Sequence, residues 1–225
     1  MKRPLSIDPA KAALLCIDLQ EEHRGDPRLL AVGYDAVLAN VVRLQKAARA
    51  AGLLVAHAAY VVETEAMRRF HPVLADGRSY FSSKDDPLTE LCPEVAPAGD
   101  EPLLVKSEAS MFSNGRLTAM LQERGAETVF VCGVWSEACV DATVKHAVAA
   151  GLRVMLVKDA CGSGSEAMHE TAMLNLANRL YGGAMVDTDK AVALIGGDTV
   201  KAWQVEGAVP LRWSYETAHE LYEGL

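Results

Sequence analysis

Two hydrophobic rhythms alternate along the chain. Ala12-Ala13-Leu14-Leu15-Cys16-Ile17-Asp18 is an unbroken apolar run closed by a carboxylate. Such a run reads as a strand buried on both faces, the pattern of a parallel sheet. Residues 35–51 then place Val37, Leu38, Val41, Val42 and Leu44 at helical spacing, and Gly52 follows as a stop. The same alternation predicts strands at 53–62, 102–106, 128–132, 153–159 and 184–187. Helices are predicted at 116–124, 136–150, 165–181 and 190–195, most of them followed by glycine. Strand and helix alternate from end to end, so the expected fold class is α/β. It is a three-layer open parallel six-stranded sheet with helices on both faces.

Two stretches break the rhythm. Residues 63–101 are long for a connection and carry Pro72, Pro87, Pro93 and Pro97, with Pro102 just beyond. Connections of this length are functional lids or hold small elements of their own. Residues 199–225 hold Trp203, Trp213, Tyr215 and Tyr222. The expected organisation is a domain at 1–198 and an aromatic tail at 199–225, packed on that domain or on a neighbouring subunit.

Composition narrows the class. Half of the 225 residues are hydrophobic, enough for a sizeable core and against disorder. Lys and Arg total 22 against 30 Asp and Glu, a net charge of -8. An acidic chain without a basic cluster argues against nucleic acid or an anionic membrane as the main partner. No stretch approaches the ~20 apolar residues of a membrane span, and the first apolar run is too short for a signal peptide. Cys16, Cys92, Cys132, Cys139 and Cys161 are odd in number and form no Cys-x-x-Cys pair. That favours buried thiols in a reducing compartment over a disulfide framework, so a cytoplasmic location is expected.

In open parallel sheets, ligands bind beyond the carboxyl ends of strands, where the strand order reverses. Asp18 closes the first predicted strand and Lys106 the third, and Cys139 follows the fourth near the start of a helix. Each alone has a plain explanation as turn, solvated or packing residue; their common edge is what points to chemistry. A helix N-terminus and an ammonium would lower the thiol pKa. A carboxylate beside it would move the proton, and backbone N–H groups would hold an oxyanion. Together they suit acyl transfer to water.

Three segments resemble the isochorismatase-like cysteine hydrolases. They are Leu14-Leu15-Cys16-Ile17-Asp18-Leu19-Gln20, Lys106-Ser107-Glu108-Ala109-Ser110-Met111-Phe112 and Gly133-Val134-Trp135-Ser136-Glu137-Ala138-Cys139-Val140. His169-Glu170 followed by Ala172 is similar to a further segment. The resemblance spans about 12–195. It implies strand order 3-2-1-4-5-6, a catalytic Asp18, Lys106 and Cys139, and a cis peptide between Val134 and Trp135. It implies backbone oxyanion contacts around Val134, Trp135 and Ala138, and a homo-oligomer, dimer or tetramer. Cys139 argues against vinyl-ether cleavage, and no Asp-x-His precedes the long loop. The expectation is therefore a metal-free amidase with no cofactor, acting on a small-molecule amide, carbamoyl or ureido compound. The alternative is a non-catalytic binding protein that keeps the fold; a thiol-redox protein ranks last.

Gln20, Phe112 and Trp135 are the candidate substrate contacts, with Gln20 also expected to orient Asp18. The aromatic usual after Gln20 is replaced by Glu21-Glu22-His23-Arg24. Glu137 and Asp141 suit the helix dipole. His57 reads as a core histidine, and His146 is two helical turns from Cys139. His169-Glu170 lacks the second histidine of a zinc motif, Met173 standing in its place. Gly162-Ser163-Gly164-Ser165 reads as a loop and cap. Arg24, Arg68, Arg78 and Arg212 are each candidates to clamp a substrate carboxylate.

Overall fold

The computed structural model describes residues 1–207 and 210–225; residues 208 and 209 of the expected tail lie outside it. In chain order the elements are β1 (Lys2–Leu5), β2 (Ala12–Ile17), α1 (Glu22–Gly25), α2 (Tyr34–Ala50), β3 (Leu54–Tyr60), β4 (Leu103–Lys106) and α3 (Arg116–Glu123). There follow β5 (Thr128–Val134), α4 (Asp141–Ala149), β6 (Arg153–Gly162), α5 (Glu166–Ala177), β7 (Ala184–Val186), α6 (Thr188–Ile195), β8 (Val200–Trp203) and α7 (Ala218–Glu223).

Among the described residues the sheet has eight strands, in the order β1-β8-β7-β6-β5-β2-β3-β4. The expected six-stranded sheet is corrected by two antiparallel strands at one edge. The parallel strands form the contiguous run β7-β6-β5-β2-β3-β4. β1 escaped the hydrophobic reading because Lys2, Arg3 and Pro4 precede its one buried residue, Leu5. Charge and proline are what an edge strand tolerates. β8 begins just past the expected 198/199 boundary, so this part of the tail completes the domain's own sheet.

Every residue of β2 is buried, and successive side chains face opposite layers. Leu14 and Cys16 join Phe130, Met155 and the inner face of α2. Leu15 and Ile17 join Val131, Leu156, Val144 of α4 and Leu174 of α5. β5 approaches β2 closely at Gly133, where a Cβ would lie 2.1 Å from the Ile17 carbonyl oxygen. Its φ of +124° also excludes a side chain.

The 63–101 segment holds short 3-10 turns at Thr64–Ala66, Pro87–Thr89 and Pro93–Val95. It folds back over the residues after β2: Glu21 N–H donates to Glu90 O and Cys92 N–H to Leu19 O, both at 2.9 Å. Its far end is anchored by Glu101, which accepts from Arg49 at 2.7 and 2.9 Å, from Ala98 N–H at 2.9 Å and from His57 Nε2 at 2.9 Å. His57 is thus a buried core histidine with a carboxylate partner. Burial would raise the Glu101 pKa, but these donors outweigh it and hold it at about 2. A carboxylate depressed in the folded state stabilises above its unfolded pKa and loses that contribution as pH falls toward about 2. Wild type should therefore exceed Glu101→Gln by roughly 3 kcal/mol at neutral pH, the gap closing between about pH 5 and pH 2. Urea unfolding of both proteins across that range checks it; a gap independent of pH would refute it.

Candidate active site

The chain order places the sheet's reversal between β2 and β5, and the expected residues gather at that carboxyl edge. Asp18 follows β2 with φ of +50°, and its N–H is held by Ala58 O at 3.1 Å. Lys106 ends β4, one strand further out than β3. Its side chain crosses the end of β3, with Nζ 4.8 Å from the centre of the Tyr60 ring. The ammonium then meets Asp18 Oδ2 at 2.7 Å, Cys139 Sγ at 3.4 Å and Glu108 O at 3.2 Å. The side chains of Lys106 and Asp18 are 1% and 4% exposed, so water screens this pair little. Asp18 Oδ1 is buried without a hydrogen-bond partner among the described residues.

Cys139 does not sit in the first turn of a regular helix. The expected helix at 136–150 is divided into a π-helical turn, Ser136–Val140, and α4. The Val134-Trp135 peptide before it is cis. Ala138 N–H and Val140 N–H both donate to Trp135 O, at 3.0 and 3.2 Å. Ala138 is therefore corrected as an oxyanion donor, because its N–H already closes the turn. Cys139 N–H makes no bond outside the turn among the described residues.

All five cysteines are free; four are buried and Cys139 is half-buried. Burial and the neighbouring Asp18 push the Cys139 thiol up to about 12, with Lys106 opposing them. The expected low thiol pKa is thus overturned, since desolvation outweighs the ammonium. Burial and Asp18 thus favour the protonated thiol at rest. Iodoacetamide should label Cys139 ahead of the other four. Its rate should climb about tenfold per pH unit from pH 7 through pH 10, as thiolate is the reactive form. Peptide mapping against pH measures this; a rate already flat at pH 7 would contradict it.

Asp18 and Cys139 open into a cavity of about 450 Å³ that Gln20, Tyr60, Phe81, Val134, Trp135 and Ala138 also line. A hollow of about 500 Å³ at the amino ends of β3 and β4, lined by Leu103, Arg116 and Arg124, contains none of the three expected catalytic residues. Gln20 lines the cavity but does not orient Asp18 through its amide. That amide donates to Tyr60 O at 3.0 Å and Thr89 O at 2.7 Å, and accepts from Tyr60 N–H at 2.9 Å. Phe112 lies outside the cavity lining, buried and stacked on His146 at 4.9 Å. Of the four arginines, Arg68 reaches the cavity and pairs with Glu108. Arg24 pairs with Glu21 and Glu94, and Arg78 with Asp76. Sequence reasoning missed Tyr60, Phe81, Glu22 and His23 as lining residues. The only signal was the unusual Glu21-Glu22-His23-Arg24 run. Among the described residues, no group of three or more His, Cys, Asp and Glu could hold a metal ion. No helix among them is long and apolar enough to cross a membrane.

A hydrogen-bond chain braces the turn around Cys139 from behind. Ser136 Oγ donates to Gly162 O at 2.9 Å, which uses its proton. His169 Nδ1, 2.8 Å away, must then donate to Ser136 Oγ, and His169 Nε2 accepts from Tyr222 OH at 3.1 Å. Burial lowers the His169 pKa to about 4, which keeps this neutral tautomer at pH 7.

Thiol, ammonium and carboxylate thus stand together at the reversal of a mostly parallel sheet. A family model for the isochorismatase domain matches residues 12–190. The chain belongs to the isochorismatase family. It is 30% identical over 189 residues to the maleamate amidohydrolase of Pseudomonas putida, covering 80% of this chain and 84% of that protein. It is 26% identical to the N-carbamoylsarcosine amidase of an Arthrobacter species, covering 71% of this chain and 61% of that protein. A cysteine hydrolase from Pseudomonas syringae pv. phaseolicola shares the fold, with a TM-score of 0.76, 22% identity, and coverage of 85% and 95%.

Proposed function

We propose that the protein hydrolyses a C–N bond of a small amide, carbamoyl or ureido compound through a thioester on Cys139. The observation that carries this reading is the Lys106 ammonium, in contact with both Asp18 and Cys139 beside the cavity. The amidase names of the two relatives support it.

Asp18 Oδ1 takes the thiol proton as Sγ attacks the substrate carbonyl carbon. Cys139 N–H holds the oxyanion that forms. When the tetrahedral intermediate collapses, the C–N bond breaks and the amine or ammonia leaves with the proton from Asp18. Water then gives a proton to Asp18 and attacks the thioester. The acid leaves and the thiol is restored. The Lys106 ammonium stabilises whichever partner is anionic, carboxylate first and thiolate next.

The test is ammonia release from a panel of small amides, ureido acids and carbamoyl amino acids. Intact mass is measured on acid-quenched enzyme in parallel. A Cys139-borne adduct of the acyl mass, formed and lost during turnover, is the expected result. Turnover that leaves every cysteine unmodified at all times would refute the thioester route.

A further inference from the structure

Glu22 and His23 line the same cavity as Cys139 but belong to neither the nucleophile nor its charge partners. Both are buried, 5% and 6% exposed. Polar side chains so enclosed are held by defined partners. Ser82 supplies them for Glu22: its N–H donates to Oε2 at 2.8 Å and its hydroxyl to Oε1 at 2.6 Å. Both carboxylate oxygens thus act as acceptors, and each keeps a second lone-pair direction. For His23 the partner is Trp135. An indole N–H can only donate, and it reaches His23 Nδ1 at 3.0 Å. Nδ1 is therefore the acceptor and the ring proton sits on Nε2. The Leu29 carbonyl, 3.3 Å from the same Nδ1, finds no proton there. Burial favours this neutral ring. His23 Nε2 lies 3.9 Å from Glu22 Oε1, too far for a direct hydrogen bond. The wall presents an acceptor and a donor side by side, unbridged.

We propose that Glu22 and His23 read the non-reacting end of the substrate, and that this end is an uncharged carboxamide or ureido group. Such a group offers N–H to Glu22 and C=O to His23 Nε2. A carboxylate there would face the Glu22 charge. Among the described lining residues the cation is Arg68, which is already paired with Glu108 and whose side chain is 66% exposed. An ammonium would suit Glu22 but oppose the His23 N–H. This inference rests on the amidase reading for its site, and its test is independent of turnover.

Succinamide and succinamate carry the same reactive amide and differ at the other end, carboxamide against carboxylate. β-Alaninamide replaces that end with an ammonium. Calorimetric binding is measured on Cys139→Ala protein, which performs no chemistry. Succinamide should bind more tightly than either of the others by about tenfold or more, since a mismatched ligand leaves buried polar groups unpaired. Glu22→Gln, which can offer N–H to a carboxylate, should bring succinamide and succinamate within about threefold of each other. Equal binding of the three, preference for succinamate or β-alaninamide, or binding of none overturns the proposal. If Glu22→Gln does not fold, the ranking of the three ligands still decides. Failure of the amidase reading would register separately, as no ammonia release by the protein with Cys139 intact and an unchanged ranking of ligands.

Discussion

Cys139→Ala should fold as the parent does and lose amide turnover by roughly 10⁴-fold or more, the scale on which removal of a covalent nucleophile acts. The loss should fall on kcat, because the thiol makes its decisive bond only after the substrate is seated. The fold should survive, because Cys139 is half-buried in a turn while the layers on both sides of the sheet are built from other residues. Asp18→Asn should be nearly as damaging. A thiol held at about 12 yields almost no thiolate at neutral pH, so an amide in place of the base leaves the proton where it is. Initial rates at saturating substrate, with circular dichroism as the control for folding, check both variants. Cys139→Ala retaining more than a hundredth of the parent kcat would end the nucleophile assignment.

Lys106→Met should lower stability by about 3–5 kcal/mol, the cost of leaving a buried charge without its partner. Asp18 would be that charge, with Oδ2 joining Oδ1 as an unbonded oxygen. Adding Asp18→Leu should recover most of the loss, because replacing both members of a buried pair is far cheaper than breaking it. The cycle of two single variants and the double variant measures this coupling by urea unfolding. Purely additive losses would mean that the Lys106–Asp18 contact contributes nothing to stability. The double variant should be inactive however stable it becomes, since it lacks the proton carrier and the cation together.

Much of the sheet was legible because buried parallel strands need uninterrupted apolar runs, and β2, β5 and β6 have them. β1 and β8 were not, as each buries a single one of its four residues and leaves little periodicity to read. The gathering of Asp18, Lys106 and Cys139 followed from one rule, that strands in a parallel sheet end on the same side. Side-chain partners were harder. Gln20 spends its amide on Tyr60 and Thr89, groups brought to it by the fold-back of the long segment, which no local pattern encodes. Phe112 turned to His146 for the same kind of reason. The thiol was misjudged because a sequence displays the charges near a residue but not how dry its site will be. The two-strand addition at the sheet edge and the π-helical turn likewise depend on contacts between distant residues.

The brace behind the Cys139 turn has a consequence for synthesis. Ser136 is propped by His169, and His169 by Tyr222 of α7. A ribosome makes the turn around Cys139 well before it makes α7. For that interval a nascent chain can lay down β2, β5 and β6 while the turn around Cys139 still lacks this support. The chain of contacts from Ser136 through His169 to Tyr222 can therefore close only once α7 has been made.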